Sequence, residues 1–378
     1  MDSYSVTVVG PSGSGKTVYL ASLFRRLAVN REEVGFFVQT DFSSAKLLNH
    51  TYGEITRPGA WPGGTILDRV QELAFTCSVR SPHGVFSPFA IKYVDYGGGL
   101  LTDVYEDGAT AADEIEDRLH KANVLLVFLD GMKVVNYLEG DSRLVDELVP
   151  VFNQLQDSTA VIHFVITKWD LLHHTRTLKE VASSLLDHPE FSGFVDHHAR
   201  MNERAGAIRL FPVSSVGLDF TDRGADGQMV KRPGARPHPL NVEIPFAAVL
   251  PDLFEQASQM LVDPAPDEGL EQRGRLVARL RGISGLLPTA KKVLLKRAAA
   301  SPALAGLGEG IIDTVSDWAD SRLNVYEGRL EADRARHRAE AEKIASNREA
   351  VKHLVEAFEL LLADFERAYP GSQLSSRA

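Results

Sequence analysis

Cysteine is almost absent: the 378-residue chain has one, Cys77. A lone cysteine excludes an internal disulfide framework and a cysteine-based zinc site, and it fits a reducing compartment. No run approaches the ~18 uninterrupted apolar residues that a membrane-spanning helix needs. The opening stretch, Met1 to Gly10, has neither a basic segment nor a long apolar core, so no secretory signal is expected. These absences predict a cytoplasmic protein, or at most one resting on a membrane surface. Excess positive charge is missing too: Lys plus Arg is 41 against 51 Asp plus Glu, a formal net charge of −10. That balance argues against a general nucleic-acid binder, though not against a local basic patch. There is no internal repeat. With 44% hydrophobic and 24% charged residues the composition is that of a globular chain, neither collagen-like nor wholly disordered. At about 150 residues per domain the length allows two domains.

The apolar pattern predicts a strand at Val6 to Val9, then a helix from Lys16 to about Val29. A less regular region follows, with a strand near Val34 to Thr40 and a helix near Ser43 to Ile55. It ends in a Gly/Pro-rich stretch from Arg57 to Thr65. Two extended segments, Val70 to Val79 and Phe89 to Asp95, flank a turn at Ser81 to Gly84 and suggest a hairpin. The chain then alternates. Helices are predicted near Ala109–Lys121, Arg143–Gln156, Leu178–Leu186 and Phe246–Leu261, and strands at Val124–Leu129, Ala160–Ile166 and Ala207–Val213. Short continuous apolar runs separated by helices indicate an α/β fold: a mainly parallel sheet covered on both faces, with one antiparallel strand from the hairpin. Thr221 to His238, rich in Gly, Pro and Arg, reads as a long mobile loop. A break at Asp263 to Asp267 divides the chain into residues 1–262 and a helical region, 263–378. In the last helix, predicted from about Val325 to Tyr369, Val351, Leu354, Val355, Phe358, Leu361, Leu362 and Phe365 share one face.

Chemistry is concentrated in short motifs. Gly10, Pro11, Ser12, Gly13, Ser14, Gly15, Lys16 and Thr17 fit G-x-x-x-x-G-K-[ST] in full, between a predicted strand and a predicted helix. Glycines let such a loop curl so that its N–H groups face phosphate oxygens, and the helix N-terminus adds its positive end. The lysine reaches the β- and γ-phosphates and the threonine hydroxyl binds Mg²⁺. Asp95 ends a predicted strand and opens Asp-Tyr-Gly-Gly98. A carboxylate there can hold Mg²⁺, and the Gly98 N–H can approach a γ-phosphate. By itself the pattern is only an ordinary turn. Thr167, Lys168, Trp169 and Asp170 follow the Ala160–Ile166 strand. A carboxylate at that place can accept from guanine N1–H and the 2-amino group, donors that adenine lacks, and the Lys168 stem can lie along the base. The plainer reading is a solvated lysine and a helix-capping Asp. Val213 to Gly217, with Ser214 and Ser215, ends the next strand, where a backbone N–H could meet guanine O6.

These four motifs, GPSGSGKT, DYGG, TKWD and VSSVG, occur in the order found in the TRAFAC class of P-loop GTPases, which the chain resembles over about residues 4 to 262. The resemblance implies a Ras-like fold, Mg²⁺-GTP binding and hydrolysis, and two switch loops. It makes Lys16 and Thr17 the P-loop lysine and metal ligand, Asp95 and Gly98 the entry to switch II, and Thr167, Lys168 and Asp170 the guanine readers, helped by Ser214 and Ser215. It also implies a Mg²⁺-binding threonine in switch I. Thr65 stands there, with Thr51 and Thr56 as rivals. The long segment before Thr65 and the late helical extension are more similar to bacterial double-GTPase-type proteins, which are encoded in multi-gene systems linked to biological conflict. One departure matters. Where many relatives carry a water-orienting Gln after D-x-x-G, this chain has Gly99. Slow intrinsic hydrolysis is expected, completed by a partner whose arginine could supply roughly 10³–10⁵ in rate.

Other features are read plainly. The pairs His173–His174 and His197–His198 are poor metal ligands, because adjacent helix residues point apart, and are expected to be solvated. Cys77 is expected to be a core thiol. Arg273 to Arg297 interleaves basic and apolar residues. A helical hairpin with solvated charges is the plainer account, and a surface for anionic lipid the alternative. The expected function is a GTP-dependent switch that signals through its helical region to a partner protein. A weakly catalytic GTP-binding scaffold and a membrane-associated mechano-GTPase are the competing classes.

Overall fold

The computed structural model describes residues 2–31, 34–59, 61–63, 71–95, 119, 121–201, 207–224, 229–262 and 330–375. Its centre is a seven-stranded sheet built from β1 (Asp2–Val9), β2 (Phe37–Gln39), β3 (Gln71–Ser81), β4 (Gly84–Asp95), β5 (Val124–Leu129), β6 (Val161–Ile166) and β7 (Arg209–Pro212). The spatial order is β2-β3-β4-β1-β5-β6-β7. From β4 to β7 the strands run parallel, and β3 is antiparallel to both of its neighbours. This is the mostly parallel α/β sheet expected from the short apolar runs.

Every residue of β5 and of β6 is buried, because helices cover both faces. Alternate residues divide between two cores. Val124, Leu126 and Phe128 face one, with α1 (Lys16–Leu27), α2 (Phe42–Thr56) and α7 (Ile244–Val262). Leu125, Val127 and Leu129 face the other, with α3 (Gly131–Leu138), α4 (Arg143–Leu155), α5 (Leu178–Leu186) and α6 (Pro189–Met201). Thr177 opens α5 with a reciprocal capping box to Glu180. Cys77 is buried in the first core, as expected.

The structure differs from the sequence expectations in four places. The stretch taken as one helix from Val325 to Tyr369 holds two, α8 (Leu330–Ala341) and α9 (Asn347–Ala368), because Ser346 caps the second by accepting from the Glu349 N–H. The apolar face of α9 packs on helix α7 and on the sheet. Phe358 lies 4.8 Å from Phe36, 5.9 Å from Phe246 and 6.5 Å from Phe89, ring centre to ring centre. The tail then pairs with the edge strand β7: Leu210 N–H donates to the Ser372 carbonyl, and Leu374 N–H to the Ile208 carbonyl.

Next, the Thr221–His238 stretch is not a free loop. Thr221–Arg223 (β8) and Met229–Lys231 (β9) pair as an antiparallel ribbon. Two helices, α3 and α6, were not anticipated. Finally, His198 is buried, not solvated: it is 1% exposed, with Nε2–H donating to the Ala160 carbonyl. The predicted helix near Ala109–Lys121 and the basic segment Arg273–Arg297 lie almost wholly or wholly outside the described residues.

Candidate functional site

β1 is followed by a connection toward β2 on one side, and its neighbour β5 by one toward β6 on the other. Loops leaving two such strands in opposite directions open a crevice at their carboxyl ends, the usual ligand site of an open α/β sheet. Here the loop of residues 10–15 follows β1, and Asp130 follows β5.

The loop after β1 depends on its glycines. A Cβ on Gly10 would stand 2.8 Å from the Phe128 carbonyl oxygen, so only glycine allows β1 to leave beside β5. Gly13 and Gly15 take φ values of 77° and 86°, and Gly15 is the residue before α1. The first turn of α1 has no acidic residue and no side-chain cap, which leaves its N-terminus suited to an anion. Lys16 is 6% exposed, and its ammonium donates to the carbonyls of Gly10 (2.8 Å) and Pro11 (3.1 Å).

The segment after β6 is tied to this loop. The Thr167 hydroxyl lies 2.7 Å from the Ser14 carbonyl and 3.2 Å from that of Leu129. Lys168 has a left-handed backbone, φ 50°. Its ammonium is within 2.9 and 2.7 Å of the two Asp130 oxygens and 3.1 Å from the Gly13 carbonyl. Lys168 therefore spans the crevice, and Asp130, which also caps α3 through the Met132 N–H, is its counter-ion. Asp170 sits in a single 3₁₀ turn, Trp169–Leu171. Its Oδ1 accepts from the Ser214 hydroxyl (2.8 Å), and its Oδ2 from the Thr221 hydroxyl (2.6 Å). Ser214 is held in turn by backbone bonds in both directions with Leu240.

One cavity of about 680 Å³ collects these groups, within the range of small-ligand sites. Ser12, Gly13, Gly15, Lys16, Thr17, Thr167, Lys168, Asp170 and Ser215 all line it, although they come from three separate parts of the chain. Ser14 and Ser214 are fully buried. Asp95 lies at the carboxyl end of β4, opposite Val8 of β1; its side chain is outside the described residues, as are Thr65, Gly98 and Gly99. Among the described residues no group of three or more His, Cys, Asp or Glu converges as a metal site. A Mg²⁺ ion held largely by phosphate oxygens needs only one or two protein ligands, and Thr17, a residue type that can supply one, lines the cavity.

Three contributors were not anticipated. Asp130 had a signal, a helix-capping Asp directly after a buried strand. Gly131 had none: a Cβ there would lie 2.1 Å from the Thr167 carbonyl oxygen. Thr221, 51 positions from Asp170, meets it only through the fold.

No protein-family model matches the chain, and no curated protein matches it. Fold and cavity together define an α/β protein with a mostly parallel sheet, helices on both faces and a crevice at the carboxyl ends of its central strands that Lys16, Lys168 and Asp170 line.

Proposed function

We propose that this protein is a Mg²⁺-dependent GTP-binding and GTP-hydrolysing switch. The observation that carries the reading is the shared cavity: Ser12, Gly13, Gly15, Lys16 and Thr17 of the glycine loop line one crevice with Asp170, joined by Thr167 and Lys168. The loop N–H groups and the α1 N-terminus would receive the phosphates. Lys16 would exchange its contacts with the Gly10 and Pro11 carbonyls for phosphate oxygens. Asp170, with one hydroxyl donor on each oxygen, keeps lone pairs for guanine N1–H and the 2-amino group. Ser214 and Ser215 support that end. Mg²⁺ would be held by Thr17, with Asp95 and Thr65 as the further ligands, and would neutralise charge on the β- and γ-phosphates. Gly98 would serve the γ-phosphate. Gly99 supplies no side chain to orient water, so turnover is slow without a partner protein, reached through the helical region. The same residue favours a second reading, a GTP-binding scaffold with almost no turnover.

The test is GTP and ATP affinity and hydrolysis for wild type, Lys16→Ala and Asp170→Ala. Tight GTP binding with slow hydrolysis, lost in Lys16→Ala, is the expected result. Asp170→Ala should cut the preference for GTP over ATP about 100-fold, the worth of two hydrogen bonds to a charged group. Binding without any turnover would select the scaffold. Equal affinity for ATP, unchanged in Asp170→Ala, would overturn the guanine reading.

A further inference from the structure

The ribbon β8–β9 touches both sides of the candidate site. At one end, Thr221, 5% exposed, donates its hydroxyl to Asp170 Oδ2 at 2.6 Å. Directly across the ribbon from it, Lys231 donates its ammonium at 2.9 Å to the carbonyls of Glu54 and Arg57, at the end of α2. At the other end of the ribbon, where Met229 pairs with Arg223, Trp61 Nε1–H donates to the Met229 carbonyl at 2.8 Å, and the Lys231 ammonium lies 4.9 Å from the Trp61 ring centre. The ribbon is thus pinned, at the position paired with Thr221, to the segment that leads from α2, and Trp61 and Met229 both line the cavity that contains Asp170.

We infer that Thr221 is a positioning residue for base recognition, and that the anchored ribbon exists at this site to hold it. The inference rests on the guanine reading of Asp170. Two N–H groups in the plane of a base are accepted together only if both carboxylate oxygens lie in that plane. Ser214 restrains Oδ1 alone, which leaves rotation about the bond to the carboxylate. Thr221 restrains Oδ2 from another element and removes that freedom. A base offering two donors gains from the restraint, whereas a base offering one can be met by either oxygen in several orientations. The ribbon therefore sets discrimination between guanine and hypoxanthine, which keeps N1–H and lacks the 2-amino group.

The experiment compares GTP, ITP and ATP affinity in the full chain for wild type, Thr221→Val and Thr221→Ser, with thermal unfolding of each. Thr221→Val keeps the shape and removes the donor, and should lower the GTP:ITP affinity ratio about fivefold, within the worth of a single charge-assisted hydrogen bond. Thr221→Ser should restore it. A merely structural role would weaken both nucleotides alike and lower the unfolding temperature with the ratio unchanged, and that result overturns the inference. A ratio not restored by Ser overturns it as well. Failure of the underlying reading looks different: wild type itself would then show no preference for GTP over ATP.

Discussion

A methyl group added at Gly131 would stand 2.1 Å from the Thr167 carbonyl oxygen and 2.9 Å from that of Lys168, both backbone atoms with no room to retreat. Those two residues carry the hydroxyl and the ammonium that join the β6 end to the glycine loop. Gly131→Ala is therefore expected to lower stability by about 1–3 kcal/mol and to weaken nucleotide binding, measured by chemical unfolding and GTP titration. The contrasting site is Gly193 in α6, where an added Cβ meets nothing within 4 Å. There Gly193→Ala should stabilise by roughly 0.5–1 kcal/mol, the entropy difference between the two residues in a helix. Equal effects at the two positions would mean that the close approach at Gly131 is relieved at no cost. At this scale the glycine loop was legible in the sequence because its residues are contiguous and their backbone demands are local. Asp130 was half legible as a helix cap. Thr221 and Gly131 were not, since each acquires its meaning from a segment distant along the chain.

Among the elements, α9 shows how an apolar stripe identifies a buried face without naming its partner. The periodicity from Val351 to Phe365 marked the face correctly, and helix α7 and the sheet together cover it. The charged first half of the stretch concealed the break, although Ser346 and Glu349 form the S-x-x-E pattern of a helix start. Strands β5 and β6 were easier, because burial on both faces leaves an unbroken apolar run. The ribbon β8–β9 was missed because its glycine, proline and arginine content resembles a loop, and its order comes from contacts with Trp61 and Asp170. Phe358 is the centre of the α9 contact, amid the rings of Phe36, Phe89 and Phe246. Phe358→Ala is expected to cost about 3–5 kcal/mol in chemical denaturation. A loss below about 1 kcal/mol would mean that α9 is not part of the cooperative core.

For the molecule as a whole, buried ionisable groups in both cores set the response to acid. Burial pushes the His198 imidazole down to about 4, against the opposing pull of its bond to the Ala160 carbonyl. Burial, followed by the neighbouring His337, pushes His353 down to about 3. Asp252 answers to a different balance. Burial raises its carboxyl, but the Arg209 guanidinium and His163 outweigh that and hold it below the usual range. Arg209 also pairs with Glu366 of α9, so this buried network ties α7 and α9 to strands β6 and β7. All three shifts have the same sign in their effect on stability. Above about pH 6.5 both histidines are neutral in the folded and unfolded chains, and their contribution is complete. As pH falls, the unfolded chain takes up protons that the folded chain refuses, so stability is lost until each folded pKa is reached. His198 alone accounts for about 3 kcal/mol between roughly pH 6.5 and 4. The Asp252 contribution follows at lower pH, below the ordinary carboxylate value of about 3.9. Denaturant unfolding at a series of pH values should show stability falling from about pH 6.5 downward, with His198→Gln flattening the slope chiefly between 6.5 and 4. Parallel curves for the two proteins would show that His198 takes up its proton as readily in the folded chain as in the unfolded one.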